Sequence, residues 1–166
     1  MLQPYNFKKS DSDSSEYAFI TSSGIIYSVA FVKADFYFPN NDSFKNDTFE
    51  LIIQLDESQK NIWAGRDFNI PSTIASIFKD FFQHHEKVVV FSCDTTDRKQ
   101  AARNRKFDDW FGQFNDDSLL KFNETIVDIE NQFQYFMSMI FSKENPHKEE
   151  IMTAFKELTK TLSEAK

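Results

Sequence analysis

The residues best placed to do chemistry in this chain are Asp94 and Asp97, followed by Arg98, Arg103 and Trp110. Paired carboxylates can exchange protons or hold a cation, and guanidiniums can fork onto an anion. They fall where the apolar run Val88-Val89-Val90-Phe91-Ser92-Cys93 gives way to a helical pattern. A rigid sheet fixes whatever stands at a strand's end, so function collects there. The apolar stripe Phe107, Trp110, Phe111 and Phe114 runs back through Arg103 and Gln100. Arg103 stands four residues before Phe107 and shares its face. This spacing predicts its guanidinium turned toward the core, where an unpaired cation costs several kcal/mol. The expected partner is Asp94, Asp97 or a bound anion.

The same run has an ordinary structural reading. Asp94, Thr95 or Thr96 can act as an N-cap, and Asp97 can complement the helix dipole. Arg105 and Asp109 form a common i, i+4 pair, and Arg98, Lys99, Arg105 and Lys106 can be a solvated face. Both readings stay open at the level of sequence.

Other chemistry is weaker. His84 and His85 are adjacent and point about 100° apart on a helix, so they miss the i, i+4 metal pair. Cys93 closes an apolar run, which favours a buried, inert thiol over a nucleophile. No phosphate-loop, dinucleotide-binding, nucleophile-elbow or zinc-protease motif occurs in the sequence. No metal and no cofactor is expected. Phe36, Tyr37 and Phe38, with Trp63, read as an exposed apolar patch for a partner or as the cap of a core edge.

These residues need elements to hold them. Tyr17 to Thr21 and Ile25 to Lys33 alternate around Ser22-Ser23-Gly24, the pattern of a hairpin. Thr48 to Leu55 alternates as a third antiparallel strand. Ile74, Ile77, Phe78, Phe81 and Phe82 make a helical stripe after Pro71-Ser72. The run 88–93 does not alternate, which suits a strand buried on both faces. A second helix is expected from about Asp97 to Gly112. Leu119 to Asp128 and Phe133 to Phe141 read as two more strands, with a helix as the alternative for either, since Phe136 and Ile140 make the second face partly apolar. Asn145-Pro146 opens a last helix with Ile151, Phe155, Leu158 and Leu162 on one face. The polar stretch 8–16 reads as part of a mobile N-terminal arm, residues 1–16, ahead of a single domain over residues 17–164. The fold class is α+β: a mostly antiparallel sheet of about five to six strands, with about three helices packed on one face.

Composition narrows the partners. Formal net charge is −7, which disfavours nucleic acid and suits a basic partner. The 20 phenylalanines supply a large core. No apolar run approaches the roughly 18 residues of a membrane span. The single Cys93 excludes an intrachain disulfide, and the N-terminus lacks a leader pattern, so a cytoplasmic location is expected.

Taken together, Tyr17-x-Phe19-x-Thr21, Gly24-Ile25-x-Tyr27-x-Val29-x-Phe31, Phe81-Phe82, Cys93-Asp94-x-x-Asp97, Arg103 and Phe107-x-x-Trp110-Phe111 resemble a family of small bacterial proteins catalogued only as a domain of unknown function. The resemblance spans roughly residues 5 to 145. It implies a bacterial cytoplasmic protein and brings no activity, cofactor or substrate.

Two functions follow as expectations. The first is a non-enzymatic binding or regulatory module with a protein partner, such as an accessory of a toxin–antitoxin or phage-defence system. The second is an enzyme or sensor for a small phosphorylated or anionic ligand, using Asp94, Asp97, Arg98 and Arg103.

Overall fold

The computed structural model describes residues 2–11, 15–59, 66–93 and 98–164. Strands β1 (Phe7–Lys9), β2 (Ser15–Ile20), β3 (Ile26–Lys33) and β4 (Thr48–Leu55) form an antiparallel meander. Helix α1 (Asn69–Phe81) crosses back to β5 (Val88–Ser92), which pairs parallel to β4. Then follow α2 (Gln100–Phe114), the hairpin of β6 (Leu119–Asp128) with β7 (Phe133–Ser142), and α3 (Lys148–Glu164). The sheet has seven strands in the order β1-β2-β3-β4-β5-β7-β6. The α+β class and the mostly antiparallel sheet are as the sequence pattern predicts.

Local chemistry explains the turns and helix starts. At the β2–β3 turn Gly24 has φ +81°, the left-handed region that other side chains resist. Thr21 closes this turn by accepting the Ile25 N–H on Oγ1 at 3.0 Å. Asp67 begins α1 by accepting the Asn69 N–H at 2.9 Å, and Asn145 accepts the His147 N–H at 2.9 Å ahead of α3.

Side-chain alternation along β5 divides the core in two. Val89 faces α1 and α2 in a cluster with Phe31, Phe49, Ile77, Phe81, Phe107 and Ile140. Val88 and Val90 face α3, with Met139, Phe141, Ile151 and Phe155. Helices therefore cover both faces, whereas the sequence pattern places all three on one. The helical stripes specify that each helix has an apolar side and carry no information on which side of the sheet it meets. The doubly apolar β5 run requires cover on both sides. Phe31 and Phe81 stack at 3.8 Å between ring centroids with no exposed surface, tying the meander to α1.

The N-terminal segment departs from the expected arm. Residues 7–9 are a strand on β2, and Tyr5 is anchored to α1 through its N–H on Thr73 Oγ1 at 2.8 Å and its hydroxyl on Asp67 at 2.7 Å. Polar composition over residues 8–16 hid this because backbone pairing, Tyr5 and the ring of Phe7 against Tyr17 make the attachment. Residues 12–14 of the expected arm lie outside the described residues. No helix among the described residues is long and apolar enough to cross a membrane.

Candidate functional site

Of the residues singled out by sequence, Asp94 and Asp97 lie outside the described residues, as does Trp63. Arg98 is exposed with φ 58°, just ahead of α2. Arg103 is also exposed, which corrects the expectation of a guanidinium on the core side. The side of α2 that meets the sheet passes through Phe111, Phe107, half-buried Asn104 and buried Gln100. Stepping back three residues from Phe107 follows that line; stepping back four leads off it, and the desolvation cost of a cation favours the solvent side. Trp110 is half-buried against the core. The aromatic group at 36–38 splits: Phe36 is 63% exposed, Tyr37 donates its hydroxyl to Glu50 at 3.0 Å, and Phe38 is buried.

A polar seam that sequence reasoning missed runs between α2 and the sheet edge. Lys121 on β6 donates its ammonium to Asp108 on α2, to Asn123 and, at 3.3 Å, to Ser138 on β7. Asn123 donates to Asp108 at 2.9 Å and accepts from Ser138 at 2.6 Å. The three ammonium hydrogens thus have three acceptors. Burial depresses the Lys121 pKa most, while the bond and charge of Asp108 pull it back up. Cys93 is buried nearby, its thiol pushed up by burial, with Lys121 and Arg103 acting the other way. Further along, buried Gln100 donates to the Gln134 carbonyl at 2.8 Å. The signal for Lys121 was present in the sequence: period-two alternation in β6 sets Lys121 and Asn123 on the same side as Leu119, toward α2.

An apolar concavity lies further along α2. Helices α1 and α2 diverge there and leave a cleft of about 490 Å³, part of it open to solvent. Ile74, Ala75 and Phe78 form one wall, Trp110, Phe111 and Phe114 the other, and Phe107 and Leu119 help close it. Trp110, Phe111 and Phe114 are half-buried and keep some contact with water, whereas Phe107 is buried. The mouth is polar. Lys79 pairs with Asp116 across it at 3.4 Å, and Asp117 pairs with Lys143 at 3.2 Å, both exposed and therefore weak. The C-terminal end of α2, with its partial negative charge, opens beside the cleft at Asn115. Arg103 is not among the residues lining it. Apolar walls with a few polar groups at the rim are a common form of a binding site.

Comparison with known proteins gives one match. The model of a family of unknown function (DUF6169) matches residues 66–157, more than half of the chain and the whole of the cleft and seam. No curated protein and no solved structure matches.

Proposed function

We propose that this chain, which belongs to the family of unknown function DUF6169, is a protein-binding module that seats an apolar anchor of its partner between α1 and α2. The observation carrying this reading is the open apolar cleft whose walls are Ile74, Phe78, Trp110, Phe111 and Phe114. Aromatic side chains left half-wet in a concave surface gain from a ligand that completes their burial, at about 25 cal/mol for each Å² removed from water. Charge supports the choice of partner. The chain carries −7 overall, Asp109 is exposed near the cleft, and the C-terminal end of α2 opens there, while Asp116 and Asp117 are already paired with Lys79 and Lys143. A basic segment bearing one large apolar residue fits this setting best. A basic toxin or defence-system component in a bacterial cytoplasm is the class of partner we infer.

The test uses Ala75, a small residue on the cleft wall. Immobilised wild type and Ala75→Phe are compared for retention of proteins from a bacterial lysate, after their melting temperatures are shown to agree. The reading expects at least one protein held by wild type and lost from Ala75→Phe. Equal retention by the two, or none by either, contradicts it.

A further inference from the structure

The two edges of the sheet are unequal. β1, at one edge, has three residues, whereas β6, at the other, has ten and pairs only with β7. Its one-to-one register with β7 runs unbroken from Leu119–Ser142 to Asp128–Phe133, so no bulge disrupts it, and it contains no proline. The N–H of Lys143 donates to the Ser118 carbonyl at 3.0 Å, which fixes the phase of the ladder. Leu120, Phe122, Glu124 and Ile126 therefore bond toward β7, and Leu119, Lys121, Asn123, Thr125 and Val127 turn their N–H and C=O groups outward. At Leu119 the side chain of Asn115 satisfies both groups, at 2.9 and 3.3 Å. Among the described residues no hydrogen bond reaches the outward backbone groups of Lys121, Asn123, Thr125 or Val127.

Folded proteins blunt such edges with short strands, bulges, proline or charged side chains, inward-pointing ones included. β6 is long, unbulged and free of proline, and its one such device is Lys121, whose ammonium turns inward to Asp108 with only 4% of the side chain exposed. That single charge stands near the Leu119 end and leaves the backbone from Asn123 to Val127 open. Asn123, Thr125 and Val127 are exposed. The free ladder ends beside the cleft, because Leu119 and Asn115 belong to both.

We propose that the outer edge of β6 is a strand-docking site for an extended basic segment of a partner protein. Backbone bonds to the four open residues supply the pairing, and the side chains set its specificity. Glu124 makes no ion pair among the described residues and stands between Phe122 and Ile126 on the α3 side of the strand. The complementary segment sets a lysine or arginine against Glu124, flanked two residues away on each side by apolar residues. A second copy of this chain fits less well. The antiparallel register that uses all four open residues sets Glu124 against its own counterpart, between two chains each carrying −7. The inference rests on the reading of the chain as a protein-binding module but concerns a different surface from the cleft.

Amide hydrogen exchange followed by NMR tests it, with the synthetic peptide Thr-Val-Thr-Lys-Thr-Val-Thr as probe. In the free protein the amides of Lys121, Asn123, Thr125 and Val127 exchange fast, and those of Leu120, Phe122, Glu124 and Ile126 exchange slowly. At a peptide concentration about ten times its Kd, the outward set slows by about tenfold. A peptide with Glu in place of Lys, or one N-methylated at alternate residues, leaves that set unchanged. Thr125→Pro, placed where the N–H bonds nothing, keeps the β6–β7 ladder and abolishes the protection. Ala75→Phe retains it, so failure of the cleft reading is distinct from failure of this one. No protection by the lysine peptide, or equal protection by the Glu peptide, overturns the proposal. Protection that rises with protein concentration alone overturns it in favour of self-pairing.

Discussion

The ammonium of Lys121 donates to the carboxylate of Asp108, joining the outermost strand of the sheet to the helix that lies over it. The lysine side chain is 4% exposed and the aspartate 37%, so the pair is desolvated from one side only. Removing either partner has unequal consequences. Asp108→Ala leaves a buried cation with two neutral acceptors and is expected to cost about 2 kcal/mol. Lys121→Met fills the space with an apolar chain, leaves Asp108 its access to water and is expected to cost less than about 1 kcal/mol. Urea denaturation of the two variants checks the order. A Lys121→Met variant as unstable as Asp108→Ala would mean that the pair contributes net stability beyond avoiding a stranded charge.

Acid stability is expected to depend on Tyr17. Its buried hydroxyl donates to Asp80 at 2.7 Å, and that bond is the largest cause holding Asp80 below the usual carboxylate range, with Lys9 adding to it. A depressed native pKa means that the unfolded chain takes up the proton first. The stabilisation is then complete above the ordinary carboxylate range and is lost as pH falls through the native value. Tyr17→Phe should raise the Asp80 pKa in a ¹³C-carboxyl titration. It should also be less stable than wild type at neutral pH by about 1 kcal/mol, with a gap that narrows below about pH 4.

An alkaline limb is expected as well. Burial raises the hydroxyls of both Tyr17 and Tyr37, with Asp80 and Glu50 adding to the effect. The folded chain keeps these protons where unfolded tyrosines lose theirs, above about pH 10, so stability falls as pH rises past that point. Tyr37→Phe should make this fall shallower, as read by melting temperature against pH.

Cys93 should behave as an inert thiol in the folded protein. It is 4% exposed, and burial is the chief cause raising its pKa. A disulfide reagent at pH 8 is expected to label it at the rate of local opening, with prompt stoichiometric labelling only in denaturant. Immediate labelling of the native chain contradicts this.

Much of the fold is written in hydrophobic period. The hairpin around Gly24, the strand 48–55, the helix carrying Ile74 to Phe82 and the doubly buried run 88–92 all lie where alternation or a helical stripe places them. Two kinds of information are absent from period alone. β1 is held by backbone bonds and by Tyr5, which leave little apolar signature in residues 7–9. The side of the sheet that α3 takes is set by the three-dimensional path of its connection. The site was legible in part: the sequence points to α2 and to Trp110, which lines the cleft. It misdirects at Arg103 because a four-residue step and a three-residue step from Phe107 name different neighbours. Only the sheet on the other side of the helix selects the three-residue step.

The central claim, that the cleft between α1 and α2 receives an apolar anchor from a partner, is tested most directly by methyl-labelled NMR of the complex. The chain, carrying ¹³C-methyl groups at Ile74, Ala75 and Leu119, is titrated with the protein that wild type retains and Ala75→Phe does not. A seated anchor shifts these three methyls and gives intermolecular contacts from them to an aromatic or branched aliphatic side chain of the partner. Unmoved methyls in a saturated complex, with contacts confined to other surfaces, would contradict the claim.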